Sequence, residues 1–327
     1  MLVALRFATI TADHAGQRID NYLFNVLKGV PKSRVYRLLR KGEVRVNKKR
    51  MKPEYKLQVG DEVRIPPVKL DTEESKAQPG KALQLRLAHS IIYEDDDIIV
   101  INKPAGVPVH GGSGVDYGVI DAIRLSRPKN TMLELVHRLD RDTSGCLLLA
   151  KTRPALTYLH ELFRSTQLDK CYLAMVHGHW PDNLGVIDQP LYKNQLRSGE
   201  RRVEVRADGK SAQTHFKVLH RYSQWTLLEV SPQTGRTHQI RVHAAFAGFP
   251  LVGDKKYGDL KLDKQVPLNG GKQLFLHAAS LTFKLPPHGH EVTVRADLES
   301  EQQKLLDMLG EEVGLVSHEN DELPETY

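Results

Sequence analysis

The sequence predicts an α+β protein of two domains. The chain has 327 residues, and a single domain takes up about 100–200. Apolar residues recur at helical spacing between Gln17 and Leu39 and then give way to short alternating runs. From Ile91 onward, strand-like runs between Gly- and Pro-rich turns outnumber helical stripes. At 40% apolar and 27% charged residues, the composition is that of a globular chain with a sizeable core.

Residues 1–17 read as an extended lead-in. Gln17 to Leu27 reads as a helix, because Ile19, Leu23, Val26 and Leu27 share one face, and Gly29 ends it. Pro31-Lys32-Ser33 restarts the chain with Ser33 as N-cap. Val35, Tyr36, Leu38 and Leu39 give the second helix an apolar stripe, and Lys32, Arg34, Arg37, Arg40 and Lys41 cover its other face. Val44-Arg45-Val46-Asn47 alternates as a strand, Lys48, Lys49 and Arg50 follow in a turn, and Gly60-Asp61 turns before Val63-Arg64-Ile65.

Charge is unevenly spread over a net +7. Lys28 to Lys52 holds eleven Lys or Arg and one acid, Glu43. Asp297 to the end holds ten acids and one Lys. An ordinary surface mixes its signs, so a one-sided helix and turn argue for a polyanion, with a phosphate backbone the best fit. A solvated helix face is the plainer alternative. No apolar run approaches the roughly 18 residues a membrane helix needs, and Met1-Leu2-Val3-Ala4-Leu5-Arg6 is too short for a signal peptide. Cys146 and Cys171 have no CxxC spacing, so neither a disulfide framework nor a thiolate metal site is expected. These features predict a reduced, cytoplasmic protein.

Residues 68–88 read as a flexible linker, with acidic, Pro and Gly residues and little apolar content before Leu83. The larger domain spans 89–310. Ile98 to Ile101 reads as a buried strand that delivers the turn Asn102 to Gly112, and Gly111-Gly112-Ser113-Gly114 reads as a mobile loop. Leu147 to Ala150 is a strand, Thr152 caps a helix buried through Leu156, Leu159 and Phe163, and Asp169 to Val176 is a strand entering a core. Trp180 to Ser223 reads as a β-rich insert. Leu227 to Pro232 leads through a tight turn at Gly235 to a helix capped near Thr237. Leu274 to Ala278 and Val292 to Val294 are strands, and Gln302 to Leu309 is a helix. The acidic tail 311–327 is expected to be disordered.

Two stretches concentrate chemistry. His137-Arg138-Leu139-Asp140-Arg141-Asp142-Thr143-Ser144-Gly145 crowds acids and guanidiniums between two β-like runs. Thr234-Gly235-Arg236-Thr237-His238-Gln239-Ile240-Arg241-Val242-His243 adds Arg236 and Arg241. If the two meet, a carboxylate held by a guanidinium stays ionised and oriented. A polar loop with internal salt bridges is the plainer reading of the first stretch. His238 and His243 are five apart, which does not stack two metal ligands on one helix face, so no metal is expected. A kinase reading of His137-Arg138-Leu139-Asp140 fails for want of a Gly-rich loop and DFG.

The segment 18–66, with Ser33-Arg34-x-x-Arg37-x-x-Arg40-Lys41-Gly42-x-Val44-x-Val46-Asn47, resembles the S4 domain, an RNA-binding module, placed at 18–67. Asn102-Lys103-Pro104-x-Gly106, His137 to Gly145, Lys170-x-Tyr172-x-Ala174 and Thr234 to His243 together resemble the RluA-type pseudouridine synthases. The S4 segment puts the chain in their RluC/RluD branch. The resemblance covers nearly the whole chain apart from the acidic tail. It implies a larger domain with a mixed, mainly antiparallel sheet flanked by helices, a redox-neutral isomerisation with no cofactor, and a monomer. It also implies large-subunit (23S) ribosomal RNA, or a pre-ribosomal particle, as partner. It makes Asp140 the catalytic carboxylate, Tyr172 a ring stacked on the uracil that also acts in proton removal at C5, and Arg236 the partner of Asp140. Ile240 packs on the base, and His137, Arg138 and Arg141 contact substrate. Lys32, Arg34, Arg37, Arg40, Lys41, Arg45, Lys48, Lys49 and Arg50 are expected to hold RNA. The alternatives are a synthase acting on other rRNA or tRNA uridines, a non-catalytic S4-type RNA-binding assembly factor, or a hydrolase using Asp140 and Asp142.

Overall fold

The computed structural model describes residues 2–3, 6–27, 30, 32–69, 79–111, 117–127, 132–165, 167–195, 201–286 and 289–312. The expected loop at 111–114 and the acidic tail lie almost wholly outside these. Among the described residues, no helix is long and apolar enough to cross a membrane.

The N-terminal domain packs two helices, Ile19–Val26 and Lys32–Lys41, on a small antiparallel sheet of Arg6–Thr9, Glu62–Ile65 and Arg45–Val46. Ile19, Leu23, Val35, Leu39, Val46, Val63 and Ile65 form its core. Ser33 lies inside the second helix rather than at its N-cap, because the helix starts one residue earlier. Asn47 and Lys48 take positive φ, closing a tight turn that pairs Val46 with Lys49. Arg50 donates to the Lys41 carbonyl at 2.8 Å and Arg45 to the Gly42 carbonyl at 3.1 Å. These two cations therefore cap the helix C-terminus, where its partial negative charge favours them. Arg37, Arg40, Lys41, Lys48 and Lys49 are exposed beside them, and Arg34 is half-buried. The side chain of Lys32 lies outside the described residues.

The larger domain is built on a ten-stranded sheet. Its strand order is Val186–Asp188, Gln213–Arg221, Trp225–Pro232, Asp169–His177, Leu276–Lys284, Ser144–Ala150, Ile98–Lys103 and Ile91–Glu94, with Glu291–Arg295 and Glu134–Leu135 paired at the side. All pairings are antiparallel except Leu276–Lys284 with Ser144–Ala150. The mixed, mainly antiparallel sheet is thus as expected. Ser144–Ala150 and Ile98–Ile101 are wholly buried, which explains their continuous apolar runs. Thr152 caps Arg153–Arg164, its hydroxyl accepting from the Ala155 N–H at 3.4 Å, and the helix buries Leu156 and Leu159 against that core.

The linker reading fails at its C-terminal end. Lys81–His89 is a helix, with Leu87 fully buried against the core that holds Ile98 and Ile123. Leu83, Leu85 and Leu87 alternate instead of recurring at helical spacing, and Leu85 is exposed, so no helical stripe stands out in the sequence. Leu87→Ala should cost about 2–5 kcal/mol of stability in a denaturant melt. Leu85→Ala should change it by no more than about 0.5 kcal/mol.

Candidate active site

Two irregularities in the sheet set up the site. The first lies where the parallel pair begins. Gly145, at φ +101, sits opposite Ala278, and a Cβ there would collide with the Ala278 carbonyl. Only glycine lets the chain turn out of the His137–Thr143 loop directly against its parallel neighbour. The second is a bulge between Cys171 and Tyr172, which skips Ala279 on the partner strand. The extra residue lies on Leu276–Lys284, and Tyr172 shares by alternation the face that carries Ala174 and Val176.

The helix Gln239–Phe246 packs on that same face through Ile240 and Ala244. The turn before it is fixed by Gln239. Its buried amide oxygen accepts from the Thr234 hydroxyl at 2.7 Å and the Arg236 N–H at 3.0 Å. Its amide nitrogen donates to the Gln213 carbonyl and the Thr214 hydroxyl, both at 2.9 Å. With every polar site used, the side chain rigidifies the turn.

The loop and the turn enclose a cavity of about 490 Å³. Asp140, Tyr172, Ile240, Arg138, His137 and Arg236 all line it, together with Phe163, Lys170, Arg241 and Leu276. Asp140 is the only acid among its lining residues. Asp142 is not among them and pairs instead with the neighbouring Arg141, at 3.1 Å. Arg141 itself lies outside this cavity.

Asp140 is clasped by Arg241, not Arg236. Arg241 Nη1 donates to Asp140 Oδ2 at 3.2 Å, while Arg236 Nε donates to the Ser211 carbonyl at 2.9 Å. Arg236 precedes the helix and is exposed, whereas Arg241 is inside the helix and faces inward. Arg241 is itself held by a two-pronged pair with Asp254, Nε–Oδ2 and Nη2–Oδ1 both at 2.7 Å. Asp254 is fully buried and also accepts from the Lys256 and Tyr257 N–H groups, at 2.9 and 3.0 Å. Burial alone would raise the Asp254 carboxyl, but these bonds and the Arg241 charge outweigh it and hold the group below its usual range. Burial likewise opposes the Arg241 charge, yet Asp254 and Asp140 raise its affinity for its proton.

His238 is the second element that the motif reading underrates. It takes the left-handed conformation, φ 56, just before the helix, an uncommon choice for a side-chain-bearing residue. The Tyr257 hydroxyl accepts from the Val203 N–H at 3.0 Å and shares a hydrogen bond with His238 Nδ1 at 2.8 Å. His238 Nε2 faces Asp140 Oδ2 at 3.8 Å. Burial lowers the imidazole's basicity despite the pull of Asp140, so it stays neutral.

Tyr172 is pushed above the normal phenol range by burial first and by the Asp140 charge second. The resting side chain is therefore a neutral phenol. His137 is spoken for: its Nε2 accepts from the Leu148 N–H at 3.0 Å and its ring stacks on Phe163 at 4.8 Å. Burial pushes it down to about 3, so it walls the cavity as an uncharged ring.

Beneath the loop lies Lys103, which is fully buried. Its ammonium donates to the carbonyls of Pro104, Val107 and Arg141 at 2.8, 2.9 and 3.0 Å, anchoring the loop that follows Asp140.

Comparison with known proteins places this geometry. The family model for RNA pseudouridylate synthase matches residues 97–246, and that for the S4 domain matches 17–63. The ribosomal large subunit pseudouridine synthase C of Escherichia coli (strain K12) is 53% identical over 309 residues, covering 94% of this chain and 97% of that protein. The chain belongs to the RNA pseudouridylate synthase family. The Haemophilus influenzae protein of the same name is 52% identical over 310 residues, covering 94% and 96%. Among solved structures, human RNA Pseudouridylate Synthase Domain Containing 4 matches 70% of this chain and 95% of its own, at 29% identity and a TM-score of 0.58. Within this synthase, the Arg241–Asp254 pair and His238 surround the acid that the sequence motif exposes.

Two outcomes follow. Arg241→Ala strands Asp254 as a buried unpaired charge and should cost about 3–5 kcal/mol, whereas Arg236→Ala, which loses one surface bond, should cost about 0.5–1.5 kcal/mol. Equal losses in urea melts would return the clasp to Arg236. Burial lowers Lys103 from 10.5 to about 7, against the pull of Glu299, Asp142 and Asp140 and alongside Arg86. Between those values the unfolded chain keeps a proton that the native state has shed, so this group's contribution to stability rises with pH. Lys103→Met should flatten that rise in melts taken across the window.

Proposed function

We propose that this pseudouridine synthase isomerises specific uridines of large-subunit (23S) ribosomal RNA, free or in a pre-ribosomal particle. It does so as a cytoplasmic monomer with Asp140 as the catalytic carboxylate. The observation that carries the reading is a single acid, anchored by Arg241, at the wall of a cavity that combines the rings of Tyr172 and Phe163 and the side chain of Ile240 with several cations. The target class rests on relatives named as large-subunit synthases and on the S4 segment.

The target uridine leaves its stack, at a cost of a few kcal/mol. Its base enters between Tyr172 and Ile240, where stacking on the phenol ring returns about 1–3 kcal/mol. The N1–C1′ bond breaks, the base turns, and a C5–C1′ bond forms. The C5 proton is lost and N1 gains one, so atoms and electrons balance without an oxidant. Asp140 acts either on the sugar, on the ring or as a base. Arg241 holds it in place for any of these, and Arg138 and Arg236 stand at the rim for the substrate backbone. The basic face formed by Arg37, Arg40, Lys41, Arg45, Lys48, Lys49 and Arg50, with Lys32 and Arg34, grips neighbouring phosphates.

Asp140→Asn should lower pseudouridine formation by at least about 10²-fold while RNA binding survives. Product formation at the wild-type rate would remove Asp140 from the chemistry. An unchanged set of pseudouridines in 23S RNA from cells lacking the protein would remove the target.

A further inference from the structure

Asp140 stands at the boundary between two cavities. The first takes the base. The second, of about 470 Å³, is walled mainly by Arg138, Arg141, Arg202, Lys255 and Lys256. Arg138, Asp140, His238 and Arg241 line both, so the spaces meet at the catalytic carboxylate. Their linings differ in apolar content. The first adds the rings of Phe163 and Tyr172 and the side chains of Ile240 and Leu276 to its basic residues, whereas the second has no Phe, Tyr or Trp among the described residues of its wall and is lined mostly by charged groups.

Several of those cations are already engaged. Arg141 pairs with Asp142, and Arg241 is held between Asp140 and Asp254. Arg138, Arg202 and Lys255 are exposed and have no carboxylate partner among the described residues. They come from three separate segments: the loop before Ser144–Ala150, the strand Arg201–Val205, and the turn after Gly253. Local sequence does not force them together, so the tertiary fold assembles the cluster. Tyr257 ties it to the catalytic turn. The Arg202 guanidinium lies 5.8 Å and that of Arg241 5.2 Å from its ring centre, while its hydroxyl bonds Val203 and His238. Unpaired cations converging on one concave surface call for a polyanion, because ordinary surfaces intersperse both signs.

Building on the RNA-modifying activity inferred above, we propose that the second cavity binds the phosphodiester backbone flanking the extruded uridine, with Arg138, Arg202 and Lys255 as the phosphate contacts. The ribose then lies over Asp140, the base on one side of it and the continuing backbone on the other. Guanidinium and ammonium groups suit phosphate oxygens, and no base identity is read there.

The test is steady-state kinetics of the full-length enzyme on a 23S fragment at several salt concentrations. Arg202 and Lys255 are exposed, so the double variant Arg202→Gln with Lys255→Gln should fold. It is expected to raise KM about tenfold or more with kcat within about twofold. The slope of log kcat/KM against log salt should fall by about 1.4, from two contacts at about 0.7 each on a single strand. Arg202→Lys should restore part of the slope. Lys217→Gln, whose side chain is 72% exposed and does not line the cavity, should change neither. If wild type turns over but the double variant keeps its KM and salt slope, or loses kcat alone, the phosphate assignment falls. If wild type makes no pseudouridine on any 23S fragment, the activity reading falls first and takes this assignment with it.

Discussion

The buried pair between Arg241 and Asp254 is the constraint on which the site depends. Taking a guanidinium and a carboxylate out of water costs several kcal/mol per ion, and only near-ideal geometry with further hydrogen bonds offsets it. Here both prongs are 2.7 Å, and two backbone N–H groups satisfy the remaining demand of Asp254. The pair therefore has one geometry rather than several. That geometry leaves Nη1 as the guanidinium edge presented to Asp140. Asp140, the proposed catalytic acid, is oriented by a group that is itself unable to move, so little reorganisation is left for the reaction to bring about.

The same logic runs outward into the sheet. Gly253, beside Asp254, donates its N–H to Asp263 at 2.8 Å, and Asp263 pairs with the buried His177 at 2.8 Å. His177 ends the strand that carries Tyr172. The phenol and the clasping arginine are thus referred to one frame, the strand Asp169–His177. On the opposite side, Gly145 seats the Asp140 loop against Leu276–Lys284, the strand next to it in the sheet. Tyr172, Asp140 and Arg241 come from distant parts of the chain, but each is set by a central strand or by a helix packed on one.

How much of this was legible in the sequence follows from which forces are local. The two-domain plan, the buried strands and the capped helix at Thr152 could be read because periodicity and capping are local signals. The stretches 137–145 and 234–243 stood out because charge is rare beside runs bound for a core. The partner of Asp140 was not legible. Arg236 and Arg241 sit in one motif, and choosing between them needs the direction each takes around a helix whose first residue is Gln239. His238 disguises that start by taking a left-handed backbone at the N-cap. Asp254 and Tyr257 lie in a stretch with no periodicity, and only contact with Arg241 and His238 gives them a role. Lys81–His89 was misread as linker because its burial rests mainly on Leu87, with Leu83 packed alongside, too thin a stripe to register.

Electrostatics then divides the labour within the cavity. Burial and the Asp140 charge both oppose a phenolate at Tyr172, and burial opposes an imidazolium at His238. Of these side chains the ring of Tyr172 is a flat neutral surface, His238 a neutral imidazole and Arg241 a fixed cation. Negative charge is concentrated on Asp140 alone. A phenol in this setting takes up a base's role only after that charge has been reduced, either by bonding of Asp140 to the substrate or by its protonation. On the roles proposed for Asp140 and Tyr172, the step in which Asp140 acts on the substrate precedes removal of the C5 proton, and the phenol's basicity rises with that step rather than being present at rest.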